Sequence, residues 1–581
     1  MGSAVKQDEN KTVAERIALA LKRHGVEIIF GQSLPSAVIL AAEAIGIRQV
    51  AYRQENMGGA MADGYARVSG RIAVVAAQNG PAATLLVPPL AEAYKASIPV
   101  VALVQEVERP QVDRNAFQEL DHIALFSSCA KSVRRMLTAD RVDDYVDAAF
   151  VTAGSGRPGP AVLLLPADLL REPSTPSRVQ RSMSYDKWPI DRTRPASEII
   201  DRAADVIAAA RAPVVMAGGG AVSAGAAAAL SRLQNTAHLP VFTTNMGKGS
   251  VDESHPLSCG VLGALNGPRS LGRHTRRLVD EADTILLVGS RTNQNGTDSW
   301  RSIPSSAQII HVDIDPEEIG RNYQALRLVG DAATTLDALT AALQARDLSS
   351  RERRRPELEK RIADAWHSFN IDRARFAEAN SAPIRPERIM KELQAQLTPK
   401  TIVVADASYS SMWIVGQLRS LHAGMRFITP RGLAGLGWGL PLAIGAKLAS
   451  PDSPVVALVG DGGFAHSWAE IETMIRCRIP VVVIVINNGV LGYQKDAETA
   501  KFGRYTTACH FSPVSHAEIA RACGCDSIRI DAPDDIARAL ETAITSGRPW
   551  LIDVMSSPDA HPPISLYDGT LDKPEMAASA V

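Results

Sequence analysis

The chain has 581 residues, which on length alone allows roughly three to four domains that each bury a core. Lys plus Arg number 62 against 63 Asp plus Glu, a net charge of −1 that gives no reason to expect nucleic acid or a membrane surface as a partner. Six cysteines in so long a chain do not make a disulfide framework, and no apolar run reaches the length of a membrane span, so a soluble enzyme of the reducing cytoplasm is the expectation.

After a polar start without the apolar core of a leader peptide, Val13 to Leu21 has helical spacing and Val26 to Phe30 reads as a strand ending at Gly31. Gln32 to Ser36 is the loop into another helix. A short strand, Val50 to Arg53, leads to the small-residue run Gln54 to Arg67, with Glu55 where strand passes to helix. On position alone Glu55 is a carboxylate that compensates the helix dipole. Ile72 to Ala77 is a buried-type strand, Gln78-Asn79-Gly80-Pro81 its turn, Ile98 to Val104 a further strand, and Ala116 to Asp121 a loop that carries Phe117 and Gln118. His122 reads first as a satisfied structural histidine, although its type can titrate near neutrality. Lys131 is open between packing and a pocket role. Strand Ala161 to Leu165 closes this part, and the Pro-, Ser- and Arg-rich stretch from Glu172 to Pro195 is a linker.

The middle of the chain opens with a helix near Ser197 and a strand, Pro213 to Ala217, that runs into Gly218-Gly219-Gly220. Strand Thr284 to Val288 with Gly289-Ser290-Arg291, and the run Ile309 to Asp315, follow. A tight turn explains such glycines as well as a ligand does. As a nucleotide seat, Gly219 and Gly220 would let a pyrophosphate approach the backbone, while Arg291 and Asp313 would meet phosphate and sugar hydroxyls. The Arg-rich helical stretch from Ser349 to Arg361 reads as a solvated face.

In the last part, strand Thr401 to Ala405 enters Asp406-Ala407-Ser408, and the glycine-dense run Gly432 to Pro441 approaches a helix. The most informative stretch is Val455 to Asn488. An apolar run ends at Gly460-Asp461-Gly462-Gly463, a helical pattern follows, and a second apolar run, Ile479 to Ile486, ends at Asn487-Asn488. Uninterrupted apolar strands about one helix predict a βαβ unit with parallel strands, whose carboxyl ends bring Asp461 and Asn488 to one sheet edge. Their anionic and neutral oxygens suit a hard cation such as Mg²⁺, and the N–H groups of Gly462 and Gly463 face an anion at the helix start. An ordinary strand-to-helix turn has the same composition. The α/β rhythm throughout predicts three doubly wound α/β domains with mostly parallel sheets, over residues 1–185, 190–350 and 375–581.

The Gly460-Asp461-Gly462 triplet, the interval after it and Asn487-Asn488 resemble the thiamin diphosphate motif of the family that includes acetohydroxyacid synthase, pyruvate decarboxylase and oxalyl-CoA decarboxylase. The resemblance covers nearly all of the chain. It implies that the three domains are, in order, pyrimidine-binding, nucleotide-binding-like and diphosphate-binding. It implies Mg²⁺ ligands at Asp461, Asn488 and the Val490 carbonyl, and cofactor contacts from Asn79, Gly80, Ser408, Gly462, Gly463 and Leu491. Leu436 falls where an apolar residue wedges between the cofactor rings, and the carbonyl of Ala434 where the 4′-amino group is held.

The run from Ala62 to Arg67 resembles the family's first domain, which makes Glu55 the catalytic carboxyl that exchanges a proton with the aminopyrimidine; the family often has His before it, and here Gln54 stands there. Gln118 is implied as a catalytic, orienting amide. Gln32, Phe117, Tyr493 and Gln494 are the expected substrate pocket. Tyr493, Gln494 and Ala497 replace the Met, Val and Trp of acetohydroxyacid synthase, implying a roomier and more polar site.

The middle domain resembles one that holds FAD in acetohydroxyacid synthase and ADP in oxalyl-CoA decarboxylase, so either is a further cofactor the resemblance allows, although several relatives hold neither. Asn295 stands where acetohydroxyacid synthase has a second Arg for the acceptor's carboxylate, and Gly289 to Trp300 looks closer to sulfoacetaldehyde acetyltransferase. The implied activity is that of a 2-oxo acid decarboxylase/carboligase with pyruvate as donor. Alternatives are an acetyl-phosphate-forming acetyltransferase, a 2-hydroxyacyl-CoA lyase, a carbonyl hydrolase, or a nucleotide-binding relative without turnover. Two subunits share each site in this family, so a homodimer or homotetramer is implied, with Glu55 of one chain serving Asp461 and Asn488 of its neighbour.

Overall fold

Apolar runs of strand length recur along the chain, and in the computed structural model, which describes residues 11–177, 179, 181–567 and 571, they assemble into three sheets of six strands. The first comprises β1 (Ile28–Gly31), β2 (Arg48–Val50), β3 (Ala73–Ala77), β4 (Val100–Glu106), β5 (Ser132–Arg135) and β6 (Ala161–Pro166). The second comprises β7 (Pro213–Ala217), β8 (Val241–Thr243), β9 (Ser258–Val261), β10 (Thr284–Val288), β11 (Gln308–Asp313) and β12 (Ala325–Val329). The third comprises β13 (Ile402–Ala405), β14 (Phe427–Ile428), β15 (Val455–Gly460), β16 (Val482–Asn487), β17 (Asp526–Ile530) and β18 (Trp550–Met555).

Every pairing within these sheets is parallel. Helices cover both faces, which is why β3 is buried at all five positions and β15 from Val455 to Val459. The outer sheets share one order, β2-β1-β3-β4-β6-β5 and β14-β13-β15-β16-β18-β17. The middle sheet, β12-β11-β10-β7-β8-β9, has instead the order of dinucleotide-binding domains, with its switch point between β7 and β10.

The first and third domains of one chain are locked by two helices, Glu55–Ser69 and Gly439–Ala449, that touch backbone to backbone. A Cβ on Gly64 would overlap the Leu442 carbonyl, and one on Gly445 the Met61 carbonyl. We expect Gly64→Ala to cost about 3 kcal/mol, because the helices must separate, and to lower the thermal unfolding midpoint.

The middle domain is tied to the third by a buried ion pair. Lys248 Nζ donates to Glu253 at 2.8 and 3.0 Å, and Glu253 Oε2 also accepts Ser420 N at 2.8 Å. The Arg-rich stretch is part of one long helix, Ser349–Ala377, and it is not wholly a solvated face. Arg351 is buried and donates to the carbonyls of Ala237, Ile207 and Ala208, groups at the C-terminal ends of two helices. Among the described residues no helix is long and apolar enough to cross a membrane.

His311, on β11, is buried with no hydrogen-bond partner on Nε2 and with Asp313 Oδ2 4.0 Å from it, and burial holds its imidazole down at about 4 against an ordinary 6.5. Between those values the unfolded chain takes up a proton that the native chain does not, so this contribution to stability is present above pH 6.5 and lost as pH falls through 4. Relative to wild type, His311→Asn should therefore gain on the order of 3 kcal/mol between pH 7 and pH 4, read from unfolding midpoints at the two pH values.

Candidate active site

Gly460 pairs with Ile486, so β15 and β16 end together and release Asp461 and Asn488 at adjacent strand ends. Asp461 is buried; its Oδ2 accepts Asn488 N at 3.0 Å and Gly489 N at 2.6 Å, and its Oδ1 accepts Gly462 N at 2.8 Å. Burial pushes its carboxyl above the ordinary aspartate range, and these N–H groups draw it back. Among the described residues no Lys, Arg or His pairs with Asp461. A buried carboxylate beside an amide oxygen, with no protein counter-charge, is a donor set that a divalent cation fits. Asn488 Oδ1 accepts Val490 N at 3.2 Å, which aims that oxygen into the same turn.

The helix expected after the glycines is broken into two short pieces, Asp461–Phe464 and Glu470–Arg476, and four residues make no substantial dipole. The glycines serve packing as well. A Cβ on Gly463 would overlap Asp406 Oδ2, and one on Gly462 would lie 2.7 Å from the Phe511 ring. Asp406 is buried and pushed up to about 6; its carboxylate accepts the N–H groups of Ala407, Gly437 and Trp438 and so ties the β13 loop to the glycine-dense run.

The resulting cleft, about 530 Å³, is lined by Ser408, Tyr409, Leu436, Asp461 to Gly463, Asn488, Val490 and Leu491 among others. Ser408 and Ala434 hold φ of +62° although neither is glycine. Such strain costs about 1–3 kcal/mol per residue and gathers where loops are shaped for a ligand. Tyr409 OH donates to buried Asp496 Oδ2 at 2.6 Å, and its ring meets Tyr493 edge-on at 5.8 Å. Gln494 instead pairs with Glu498 along the surface of its own helix.

Among the described residues, none of the first domain lines this cleft. Glu55 opens the helix Glu55–Ser69, whose Gln54 cap makes no side-chain bond; buried Glu470 of the third domain takes its place, accepting Arg53 N at 2.9 Å and Gln54 N at 3.2 Å. The Glu55 carboxyl itself has no hydrogen-bond or ionic partner among the described residues. Asn79, Gly80, Phe117 and Gln118 do come together elsewhere in the first domain. Asn79 Nδ2 donates to Gln118 O at 3.0 Å, and a Cβ on Gly80 would lie 2.7 Å from that of Gln118. Gln118, at φ +61°, takes a bond from Gln78 Nε2 on its Oε1, which leaves its NH₂ without a hydrogen-bond partner among the described residues. Phe117 is 84 % exposed, and Gln32 lies exposed on the loop after β1.

His122 is structural. Gly80 N donates to its Nε2 at 3.0 Å, so the proton sits on Nδ1, facing Glu106, which Arg135 binds in turn. Lys131 donates to the carbonyls of Thr152 and Ser155 and is likewise a packing residue, with burial pulling its amine down to about 8.

Gly219, Gly220, Arg291 and Asp313 share a second cavity, about 1130 Å³, at the switch point of the middle sheet. The glycines there are explained first by close packing. Gly220 lies against Gly289, and a Cβ on Gly219 would meet that of Met246 at 3.0 Å. Asp313 is buried and pushed up to about 6.

Three family models match along the chain: the N-terminal TPP binding domain of thiamine pyrophosphate enzymes at residues 11–125, their central domain at 200–339, and their C-terminal TPP binding domain at 406–554. The chain belongs to the thiamine pyrophosphate enzyme family. Among its relatives, a probable acetolactate synthase large subunit of Methanococcus aeolicus is 32% identical over 565 residues, covering 94% of this chain and 92% of that protein. That of Methanocaldococcus jannaschii is 33% identical, with the same coverage. The acetolactate synthase isozyme 3 large subunit of Escherichia coli is 30% identical over 96% of this chain and 97% of its own. The protein is thus a thiamin diphosphate-dependent carboligase/decarboxylase of the acetolactate synthase type.

As a thiamine pyrophosphate enzyme, the chain has working parts that sequence reading passed over. Glu92 is a buried carboxylate in a mostly apolar helix, and it accepts the N–H groups of Gly432, Leu433 and Ala434 at 2.6, 2.5 and 3.1 Å, docking the run that carries Ala434 and Leu436 onto the first domain. A carboxylate in an apolar helix was the available signal. Tyr409 and Asp496 gave none, since their contact spans 87 residues.

Proposed function

We propose that the protein decarboxylates a 2-oxo acid, with pyruvate as donor, and joins the remaining fragment to an acceptor other than the one that leads to acetolactate. The observation that carries the reading is a pair of carboxyls without protein counter-charges: Asp461 in the third-domain cleft and Glu55 at a helix start. In this reading Asp461, Asn488 and the Val490 carbonyl hold Mg²⁺, and Ser408, Ala434, Leu436, Gly462, Gly463 and Leu491 surround the cofactor. Bound there, thiamin diphosphate supplies a carbon nucleophile that adds to a carbonyl and accepts the electron pair of the neighbouring bond. Glu55 would hold and return a proton at the aminopyrimidine, Leu436 would pack against the cofactor, and Gln118 with Asn79 and Gly80 would orient the reacting groups through amide donors.

In this reading Glu55 comes from a second copy, so that a homodimer is the smallest active unit; the lack of first-domain residues around the same-chain cleft, among the described residues, supports it. Asn295 supports the departure from acetolactate, since no guanidinium stands there to clamp a keto acid acceptor. Tyr493 and Gln494, with Gln32 and Phe117, form the acceptor side. The middle-domain cavity takes an adenine nucleotide, FAD or ADP, through Gly219, Gly220, Arg291 and Asp313.

The test is to load the protein with thiamin diphosphate and Mg²⁺, feed pyruvate, and analyse the products with and without phosphate, aldehydes or acyl-CoA. Pyruvate consumption with a product other than acetolactate is expected. Acetyl phosphate formed from sulfoacetaldehyde and phosphate, with sulfite as the leaving group, would favour the acetyltransferase alternative, and no pyruvate turnover under any condition would exclude pyruvate as donor.

A further inference from the structure

The Arg-rich stretch that opens the helix Ser349–Ala377 spaces Arg351, Arg354, Arg355, Leu358 and Arg361 so that they share one helix face. That face lines a cavity of about 1060 Å³ with Arg211, which stands just before β7, as a fifth arginine. Pro213 and Val214 of β7, Pro240 before β8, and Leu278 give the same cavity an apolar side. It lies at the amino ends of these strands, whereas the switch-point cavity lies at their carboxyl ends, and it shares no lining residue with that cavity or with the thiamin cleft. Two carboxylates stand against the five arginines. Glu281 accepts from Arg361 at 2.7 Å, and Glu357 is exposed. Arg354 is spent on Arg211 O at 2.9 Å and Ser350 O at 3.2 Å, and Arg355 on Glu359 at 2.7 Å and His238 Nδ1 at 3.2 Å. Two guanidinium groups keep donors in hand. The Arg211 side chain has no partner among the described residues, and Arg351, whose other nitrogens hold three carbonyls, has its Nε buried without one. Burial and the Arg354 charge hold Arg351 down to about 10.

We propose that this cavity is a binding site for an organic carboxylate with an apolar body, its anionic group held by Arg211 and Arg351. A buried cation with an unpaired N–H is costly, and an anion removes both the missing counter-charge and the missing acceptor. A carboxylate fits a guanidinium because its two oxygens accept N–H groups in pairs. One anionic group is enough. A polyanion would have to draw Arg355 from Glu359 and Arg361 from Glu281, whereas a single carboxylate uses only donors that the fold leaves unspent. The apolar side of the cavity calls for a body that gains by leaving water, which a bare inorganic anion does not have. No residue placed in the thiamin chemistry lines the cavity, so its occupant is not the substrate of that chemistry.

Calorimetry on the full-length protein, with thiamin diphosphate and Mg²⁺ present, tests this with decanoate, its uncharged twin decanol, acetate and pyrophosphate. Decanoate should bind at least about tenfold more tightly than each of the others, the scale of one charge-assisted pair or of a buried alkyl chain. Arg211→Ala removes a side chain that holds nothing else, and should lose about tenfold for decanoate while leaving decanol unchanged. Arg351→Met should weaken decanoate in the same way, with thermal unfolding reporting whether that variant folds. Decanol or acetate binding as tightly as decanoate would overturn the proposal, and so would pyrophosphate binding more tightly than decanoate. An Arg211→Ala affinity equal to that of wild type, or no uptake of decanoate by wild type, would overturn it as well.

Discussion

Glu55→Gln is expected to bind thiamin diphosphate with near wild-type affinity and to turn over at least about a hundredfold more slowly, the scale of a positioned acid–base group. The amide has the same shape and can still meet a ring nitrogen, but it cannot give up or take back a proton. Nothing in the protein depends on the carboxylate structurally, since Glu55 has no partner among the described residues and the helix start is held by Glu470 instead. Hydrogen–deuterium exchange at cofactor C2, followed by NMR beside calorimetric binding, separates the two effects. Unchanged exchange would refute the assignment. Mixing Glu55→Gln chains with Asp461→Asn chains adds a test of sharing between subunits. Each variant is impaired alone, and a hybrid dimer with one intact site should recover part of the activity.

Asp461→Asn should cost about a hundredfold or more in Mg²⁺-dependent cofactor affinity, beyond the 10–100-fold typical of residues one shell further out. Without metal the same variant should be no less stable than wild type. The native carboxylate is buried, pushed above the ordinary aspartate range and free of any cationic side chain among the described residues, so losing its charge removes a desolvation cost. The remaining amide oxygen can still accept Asn488 N and Gly489 N, while the NH₂ then meets Gly462 N, so the relief of charge burial is partly offset by one lost bond. Thermal unfolding with and without thiamin diphosphate plus Mg²⁺ reads both halves. Wild type should gain a ligand-dependent rise in midpoint and the variant should not. A rise of equal size in the variant would place the metal elsewhere.

The three-sheet α/β architecture and the Asp461–Asn488 pairing were legible in the amino-acid order, because both are local. An apolar run bounded by glycine marks a covered parallel strand, and two such runs about a helix can join with only one handedness. Short edge strands such as β5, β12 and β17, half-exposed and of mixed composition, gave no comparable signal. What only the tertiary structure decided were contacts between residues far apart in the chain. Gly463 is small because Asp406 needs the space, Gly220 because Gly289 does, and Glu92 is buried because three N–H groups of the wedge run converge on it. Arg351 looked like one more surface arginine until its carbonyl partners and the cavity it lines were in place. Periodicity reports which face of an element is covered; it is silent about which element does the covering, and a buried charge takes its meaning from that neighbour alone.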